Sequence, residues 1–157
     1  NIDTRVRKLQ QGECDALVLA AAALHRLGWH AEISSYLKVD QMLPAVGQGA
    51  LALQMRRDDA RTSLVTAIQD AESFAAVSAE RSLLTHLGGG CQAPIAAWGR
   101  FSGSELSLAG LVAEVDGSRL IRAEERTTGD ASDLGRIVAE KLIAQGASEI
   151  LERSSPR

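Results

Sequence analysis

The sequence predicts a fold in two parts: a partial, doubly wound α/β segment, then a small α+β domain with a three-stranded antiparallel sheet packed by helices. In the first part a helical segment, an apolar run and a second helical segment follow closely, over residues 5–11, 14–20 and 21–27, as in a parallel α/β layer. In the second part a long helical segment, three alternating runs and a last helical segment cover residues 71–145. That order is typical of an α+β domain.

The first part is too short to complete a sheet. Asp3 or Thr4 can cap the first helix, and Gly12 can end it. Residues 14–20 are apolar enough for a buried parallel strand, but such a sheet needs several strands and only one is clear here. The remaining strands are therefore expected outside this sequence. A first residue of Asn1 rather than Met adds to the expectation that the chain is a piece of a larger polypeptide.

The middle of the chain changes character around Pro44, Gly47 and Gly49. These residues bracket short apolar pieces, which predicts a loop, a turn and a strand over residues 50–55. A short helix is predicted over residues 62–68. A domain boundary is expected near residue 70.

The second part carries stronger signals. A helix is predicted over residues 71–87, with its apolar face made by Phe74, Val77, Leu84 and Leu87, and three glycines end it. Strands are predicted over residues 95–101, 106–113 and 120–126, the last two joined by a tight Asp116-Gly117 turn. The final helix is predicted over residues 132–145, with an inner face of Leu134, Ile137, Val138 and Leu142.

Composition excludes several classes of protein. The 157 residues are 45% hydrophobic and 24% charged, which does not fit a disordered tail or a collagen-like repeat. The longest apolar run has nine residues, against about 18 for a membrane-spanning helix, so we expect no membrane partner. A net charge of −3 argues against nucleic acid as a partner. The two cysteines match no disulfide or zinc pattern, which favours a reducing, cytoplasmic location.

Cys91 is the first candidate for chemistry. It stands in a Gly-Gly-Gly-Cys-Gln-Ala-Pro loop, where the glycines leave little steric cover and Pro94 constrains the exit. Such a thiol suits covalent attachment or nucleophilic attack, although an incidental loop cysteine would look the same. Cys14 precedes an apolar run and is interpreted as a buried, inert thiol.

Arginines and a glycine-containing loop form the second group of candidates. Arg5, Arg7 and Arg26 lie on predicted helices, and guanidinium groups bind carboxylates in a bidentate manner, although a solvated helix face is the plainer interpretation. The loop at 44–50 allows close backbone approach to a ligand, or is a simple connector. The histidines show no ligand spacing, so no metal is assigned.

Five ordered motifs together resemble one family. They are T-R-V-x-K-L at residues 4–9, D-A-L-V-L-A-x-A-x-L-x-R-L-G at 15–28, L-P-A-V-G-Q-G-A at 43–50, A-E-R-x-L-L at 79–84 and G-G-C-Q-x-P-I at 89–95. In these motifs the chain is similar to the C-terminal half of hydroxymethylbilane synthase, also called porphobilinogen deaminase, and the similarity covers almost the whole sequence.

The resemblance implies a domain assignment. The family has three domains, so residues 1–42 would end the second, α/β domain. Residues 43–69 would return to the first domain and form a hinge. Residues 70–157 would be the C-terminal α+β domain that carries the cofactor cysteine.

The resemblance also implies an activity. Family members join four porphobilinogen units into hydroxymethylbilane with release of ammonia, on a dipyrromethane cofactor held by a thioether to a cysteine that matches Cys91. Arg5 and Arg26 match positions that bind the carboxylates of the pyrrole chain, and Gln48 falls in a segment lining the cleft between domains. Porphobilinogen, linear pyrrole oligomers and the N-terminal half of the enzyme are the implied partners, and the parent enzyme is expected to be a monomer.

The resemblance leaves the catalytic aspartate in the absent N-terminal half, so no catalytic residue is assigned here and the chain alone is expected to be inactive. One alternative is a non-catalytic binding module that reuses the α+β domain. Another is a cysteine hydrolase using Cys91, which would need a base that no histidine supplies in an obvious pairing position.

Overall fold

The computed structural model describes residues 1–90 and 92–154. Cys91, the candidate cofactor anchor, lies outside the described residues. Contacts within the chain divide it into a unit of Asn1–Lys38 and a second unit that begins at Val39. Within the described ranges, no helix has the length and apolar character needed to cross a membrane.

The first unit contains both helices predicted for it. Helix α1 spans Ile2–Gln10, helix α2 spans Ala21–Arg26, and a single turn of 3-10 helix follows at His30–Glu32. Only Val6 and Leu24 are buried apolar side chains among the described residues of this unit. Its core is therefore very small.

The strand predicted over residues 14–20 is wrong for this chain. The described residues of the first unit form no strand, and Val18 in the middle of the run is 62% exposed. A parallel strand is defined by hydrogen bonds to its neighbours, and this unit offers no neighbouring strand. The apolar sequence is present without the partners that would make it part of a sheet.

The segment between the two predicted parts is only partly regular. The strand predicted over residues 50–55 is also wrong, since those residues pair with nothing and Leu51 is 86% exposed. Helix α3 spans Thr62–Ala67 and confirms the short helix predicted there. Residues 39–47, which we call the strap, are irregular but make several contacts with the α+β domain.

The α+β domain confirms the predicted fold class and adds one helix. Its sheet has the order β1-β2-β3 and is antiparallel throughout. The last helix, α6, was not predicted because Gly146, with φ +98°, ends α5 and the next helix begins at the following residue. The elements are α4 Ala71–His86, β1 Ile95–Ser102, β2 Glu105–Ala113, β3 Leu120–Thr127, α5 Ala131–Ala144 and α6 Ala147–Ser154.

Side-chain caps begin the two long helices. The Asp70 carboxylate accepts a 2.7 Å hydrogen bond from the Ser73 amide at the start of α4. Asp130 accepts from the amides of Ser132 and Asp133 at the start of α5, at 2.8 and 3.0 Å. These bonds satisfy amides that the first helical turn leaves without partners.

Helices α4 and α5 pack together on one face of the sheet, and the core lies between them and the strands. The apolar face predicted for α4 is partly wrong, because Phe74 is 59% exposed while Ala76 and Ala79 are buried. Small residues allow the close approach: a Cβ on Gly99 of β1 would meet Ala76, and one on Gly135 of α5 would meet the Ala79 carbonyl. Burial on α4 is therefore decided by its neighbours rather than by its largest side chains.

Candidate functional site

The loop that follows α4 uses its glycines in different ways. Gly88 has φ +67°, a left-handed conformation that ends the helix and favours glycine. Gly89 packs so closely that an added Cβ would meet the side chains of Ile95 and Leu84. Gly90 faces open space, with no atom within 4 Å of the position of a Cβ. The loop is thus closely packed at its start and open at the residue before Cys91.

The strap is bound to the α+β domain along its length. Arg122, on the sheet face opposite the helices, donates from Nη1 to the Asp40 carbonyl at 3.1 Å. Leu43 is buried, and the Ala97 amide donates to the Pro44 carbonyl at 3.1 Å. These contacts carry the strap from β3 across the sheet to the free edge of β1, which it partly covers.

Glu80 completes the attachment of the strap. Its Oε2 accepts a 2.7 Å hydrogen bond from the Gly47 amide, and its Oε1 accepts a 2.8 Å bond from the Gly99 amide. The carboxyl thus joins helix α4, the end of the strap and the edge of β1. Burial raises the pKa of the Glu80 carboxyl above its usual value, and the two amide donors oppose that rise.

Gln48, the predicted cleft residue, comes directly after the strap. Its amide donates to the Ala45 carbonyl at 2.9 Å, which closes a turn, and Gly47 within that turn has φ +72°. The residue as a whole is exposed. The structure therefore places Gln48 in a turn that is bound to the α+β domain, where the residue is accessible to solvent.

Arg5 and Arg26, the predicted carboxylate-binding residues, both lie in the first unit, on α1 and at the end of α2. Both are exposed, and neither guanidinium makes a hydrogen bond or ion pair with any residue in the described ranges. An unpaired guanidinium keeps all five of its N–H donors available for a carboxylate.

Arginines elsewhere in the described chain are mostly engaged. In the α+β domain Arg119 pairs with Glu149 at 2.8 Å, and Arg136 pairs with Glu140 at 2.8 Å. Because paired arginines have their charge matched locally, the unpaired ones in the first unit are better suited to bind an external anion.

Sequence reasoning missed two features. From the sequence, Glu80 is noted only as part of the A-E-R-x-L-L motif, and only the structure shows that it is buried and bound to two glycine amides. Beside Arg26, His25 Nε2 lies 2.7 Å from the Tyr36 hydroxyl and stacks on His30 with ring centroids 4.8 Å apart. No sequence spacing signalled that cluster.

The first unit also contains a free thiol and a cavity. Cys14 is a free thiol and half-buried, so it is less enclosed than predicted. A cavity of about 450 Å³ is lined by Val6, Arg7 and Trp29 among others, but not by Arg5 or Arg26. The described site residues are thus surface groups rather than the walls of that cavity.

Comparison with protein-family models gives two consecutive matches. Residues 1–64 match the model described as "Porphobilinogen deaminase, dipyromethane cofactor binding domain". Residues 74–144 match "Porphobilinogen deaminase, C-terminal domain". Arg5, Arg26 and Gln48 fall in the first range, and Cys91 falls in the second.

Curated relatives agree with the family models. Proteins named porphobilinogen deaminase from Syntrophobacter fumaroxidans and Acidithiobacillus ferrooxidans are 45% and 47% identical to the chain, each over 97% of it. One from Brevibacillus brevis is 48% identical over 96% of the chain. The chain spans about half the length of these relatives, 49–50%.

The fold and the site together define a class of protein. It has an α+β domain bound to a strap from the preceding segment, and its unpaired arginines suit an anionic ligand. The motif resemblance, the two matched domains and the relatives make the assignment specific. The chain belongs to the porphobilinogen deaminase family, and it contains the region that the family model associates with the dipyrromethane cofactor.

Proposed function

We propose that this chain is the cofactor-carrying part of a hydroxymethylbilane synthase, which joins four porphobilinogen units and releases ammonia in tetrapyrrole biosynthesis. The observation that carries the proposal is the pair of consecutive domain matches, supported by the relatives described above, which are named porphobilinogen deaminase. A non-catalytic binding module remains an outcome of the test below.

The proposed anchor is Cys91. A thiol that displaces the amino group of a porphobilinogen unit forms a C–S bond while the C–N bond breaks and ammonia leaves, so a cysteine can hold a pyrrole permanently. When bound, dipyrromethane supplies the pyrrole carbon to which the first substrate unit is added.

Arg5 and Arg26 are the proposed charge partners. Each pyrrole ring carries acetate and propionate side chains, so the cofactor and the growing chain are polyanions. Exposed guanidinium groups without partners in the described structure can neutralise those carboxylates, and the Gln48 side chain can offer amide hydrogen bonds to the same kind of ligand. This explains how a protein of net charge −3 can hold an anionic product.

The other half of the enzyme is the proposed partner of the middle segment. A folded protein rarely leaves a run of large apolar side chains in water, and in this segment the exposed ones lie before, within and just after α3. They are Leu51, Leu53, Leu64 and Ile68, with exposures of 86%, 60%, 65% and 69%. We expect the N-terminal half to cover them, and the assembled enzyme to be a monomer. The free Cys14 thiol supports a reducing, cytoplasmic setting.

The test combines this chain with the N-terminal half of the Acidithiobacillus ferrooxidans relative by co-expression. We expect ammonia release from porphobilinogen and an adduct of about 420 Da, two porphobilinogen units less two molecules of ammonia, on the Cys91 peptide. Cys91→Ser should abolish both, whereas Cys14→Ser should leave both unchanged. An assembled pair with an unmodified Cys91 peptide and no ammonia release would favour a binding module instead.

Arg26→Leu tests the charge role. In the assembled enzyme we expect elongation to slow about tenfold or more, because a charge-assisted hydrogen bond contributes about 1.5–3 kcal/mol. Thermal stability of the chain should be unchanged, since the side chain is exposed. Arg7→Leu removes an exposed arginine of the same unit at the unspecified position of the T-R-V-x-K-L motif, where the resemblance implies no carboxylate contact, and is the matched control. Equal elongation by Arg26→Leu and wild type would refute the role.

A further inference from the structure

Glu80 occupies a position that the proposed chemistry does not use. It lies on α4 with 5% of its surface exposed, although a glutamate is rarely buried without a specific partner. Both carboxylate oxygens are used, one by the Gly47 amide and one by the Gly99 amide. A side chain that only filled space would not need two matched donors from two different segments.

The two donors belong to two different segments, the edge strand and the strap. Gly99 is in the edge strand β1, two residues after Ala97, whose amide binds the strap at Pro44. Gly47 ends the strap and directly precedes Gln48. Consequently the carboxylate fixes the end of the strap against α4, the helix whose C-terminal loop leads to Cys91 in the sequence.

We propose that Glu80 is a positioning residue that holds the Gln48 turn on the domain bearing Cys91, through its paired hydrogen bonds to the Gly47 and Gly99 amides. The inference rests on the proposed function for the importance of Gln48 and Cys91. The attachment itself is a property of this chain alone. Gln48 then moves with the α+β domain rather than with the segment that follows it.

The first experiment measures amide hydrogen exchange by NMR in this chain. Glu80→Ala should speed exchange at Gly47 about tenfold, the equivalent of one lost hydrogen bond, and should also speed it at Gly99. Exchange at Leu108, in the middle of the sheet, should be unchanged, which shows that the domain remains folded. Glu80→Gln keeps one acceptor oxygen and should release only one of the two amides.

Glu72→Gln is the matched control, because Glu72 is an exposed glutamate on the same helix. It should leave exchange at Gly47 and Gly99 as in the wild type. Unchanged exchange at Gly47 in Glu80→Ala, with Leu108 still protected, would overturn the proposal. So would an equal effect of Glu72→Gln.

The second experiment uses the assembled enzyme and reads the masses attached to Cys91. Glu80→Gln should load the cofactor normally but stall afterwards, so that short oligomers accumulate and kcat falls more than KM changes. A loss of loading without stalling, or normal elongation, would refute a positioning role. If wild type neither loads nor elongates, the proposed function fails, while the exchange experiment still decides whether Glu80 holds the strap.

Discussion

The first 38 residues and residues 71–154 differ sharply in how much apolar surface they bury. The first unit buries only Val6 and Leu24 among its described apolar side chains, and leaves Val18, Tyr36 and Leu37 exposed. The α+β domain has a continuous core in which Leu83, Leu108 and Val138 are wholly buried. The α+β domain buries its apolar side chains against one another, whereas the first unit leaves several of its own exposed.

Polar groups follow the same division. Helices α4 and α5 have aspartate caps, whereas the N-cap residues of α1 and α2 make no side-chain cap bond. Arginines in the domain are mostly paired, whereas Arg5 and Arg26 have no partner within the described ranges. The region that has the continuous core is thus also the region whose helices are capped and whose arginines are mostly paired. The proposed carboxylate-binding residues lie in the region whose described residues have the smaller core and the fewer ion pairs.

The strongest way to break this comparison is a pair of leucine truncations. Leu83→Ala should lower the free energy of unfolding by about 2–5 kcal/mol, because it opens a cavity in a closed core. Leu37→Ala, in the first unit, should change it by less than about 0.5 kcal/mol, because that side chain is already 53% exposed. Urea unfolding followed by Trp98 fluorescence, in a Trp29→Phe background, reports the domain, and Trp29 fluorescence, in a Trp98→Phe background, reports the first unit. Similar losses for both variants would contradict the division.

Helix capping sharpens the comparison with a smaller effect. Asp130→Ala should cost about 0.5–2 kcal/mol in the same assay, because two amides of α5 lose their acceptor. Asn1→Ala should leave the helical circular dichroism signal unchanged, since the Asn1 side chain makes no cap bond. A comparable loss from the two substitutions would show that capping does not distinguish the regions.

The smallest expected effect is a pH dependence that belongs to the domain alone. The pKa of Glu80 is raised by burial, so the folded state holds that proton more tightly than the unfolded state. The stability of wild type relative to Glu80→Gln should therefore be greatest below the ordinary value of 4.5 and fall as the pH rises through the folded pKa. Urea unfolding of both proteins from pH 4 to 7 measures the difference. A stability difference between wild type and Glu80→Gln that grows with pH would contradict this prediction.

Much of the fold could be predicted because its signals are local. The tight turn at Asp116-Gly117, the alternation in the strands and the glycine after α5 all act within a few residues. The failures are non-local. Residues 14–20 and 50–55 have strand-like sequences, but a strand exists only where a neighbour offers hydrogen bonds.

The candidate site divides in the same way. Arg5, Arg26 and Gln48 were found from motifs, and the structure leaves all three exposed. Their roles toward the cofactor stay predictions, as does that of Cys91, which lies outside the described residues. Glu80 could not be found, because a glutamate on a helix is ordinarily a solvated charge until its surroundings are known.

By itself, the sequence determined the family, the order of elements from α4 to α5 in the α+β domain, and candidate residues whose types suit the proposed roles of tethering and neutralising a pyrrole chain. These properties depend on local pattern and on side-chain chemistry. Only the tertiary structure decided that the strap belongs with the α+β domain and that Glu80 fastens it there. The physical reason is that two backbone amides, 52 positions apart at Gly47 and Gly99, can share one carboxylate only after the chain has folded.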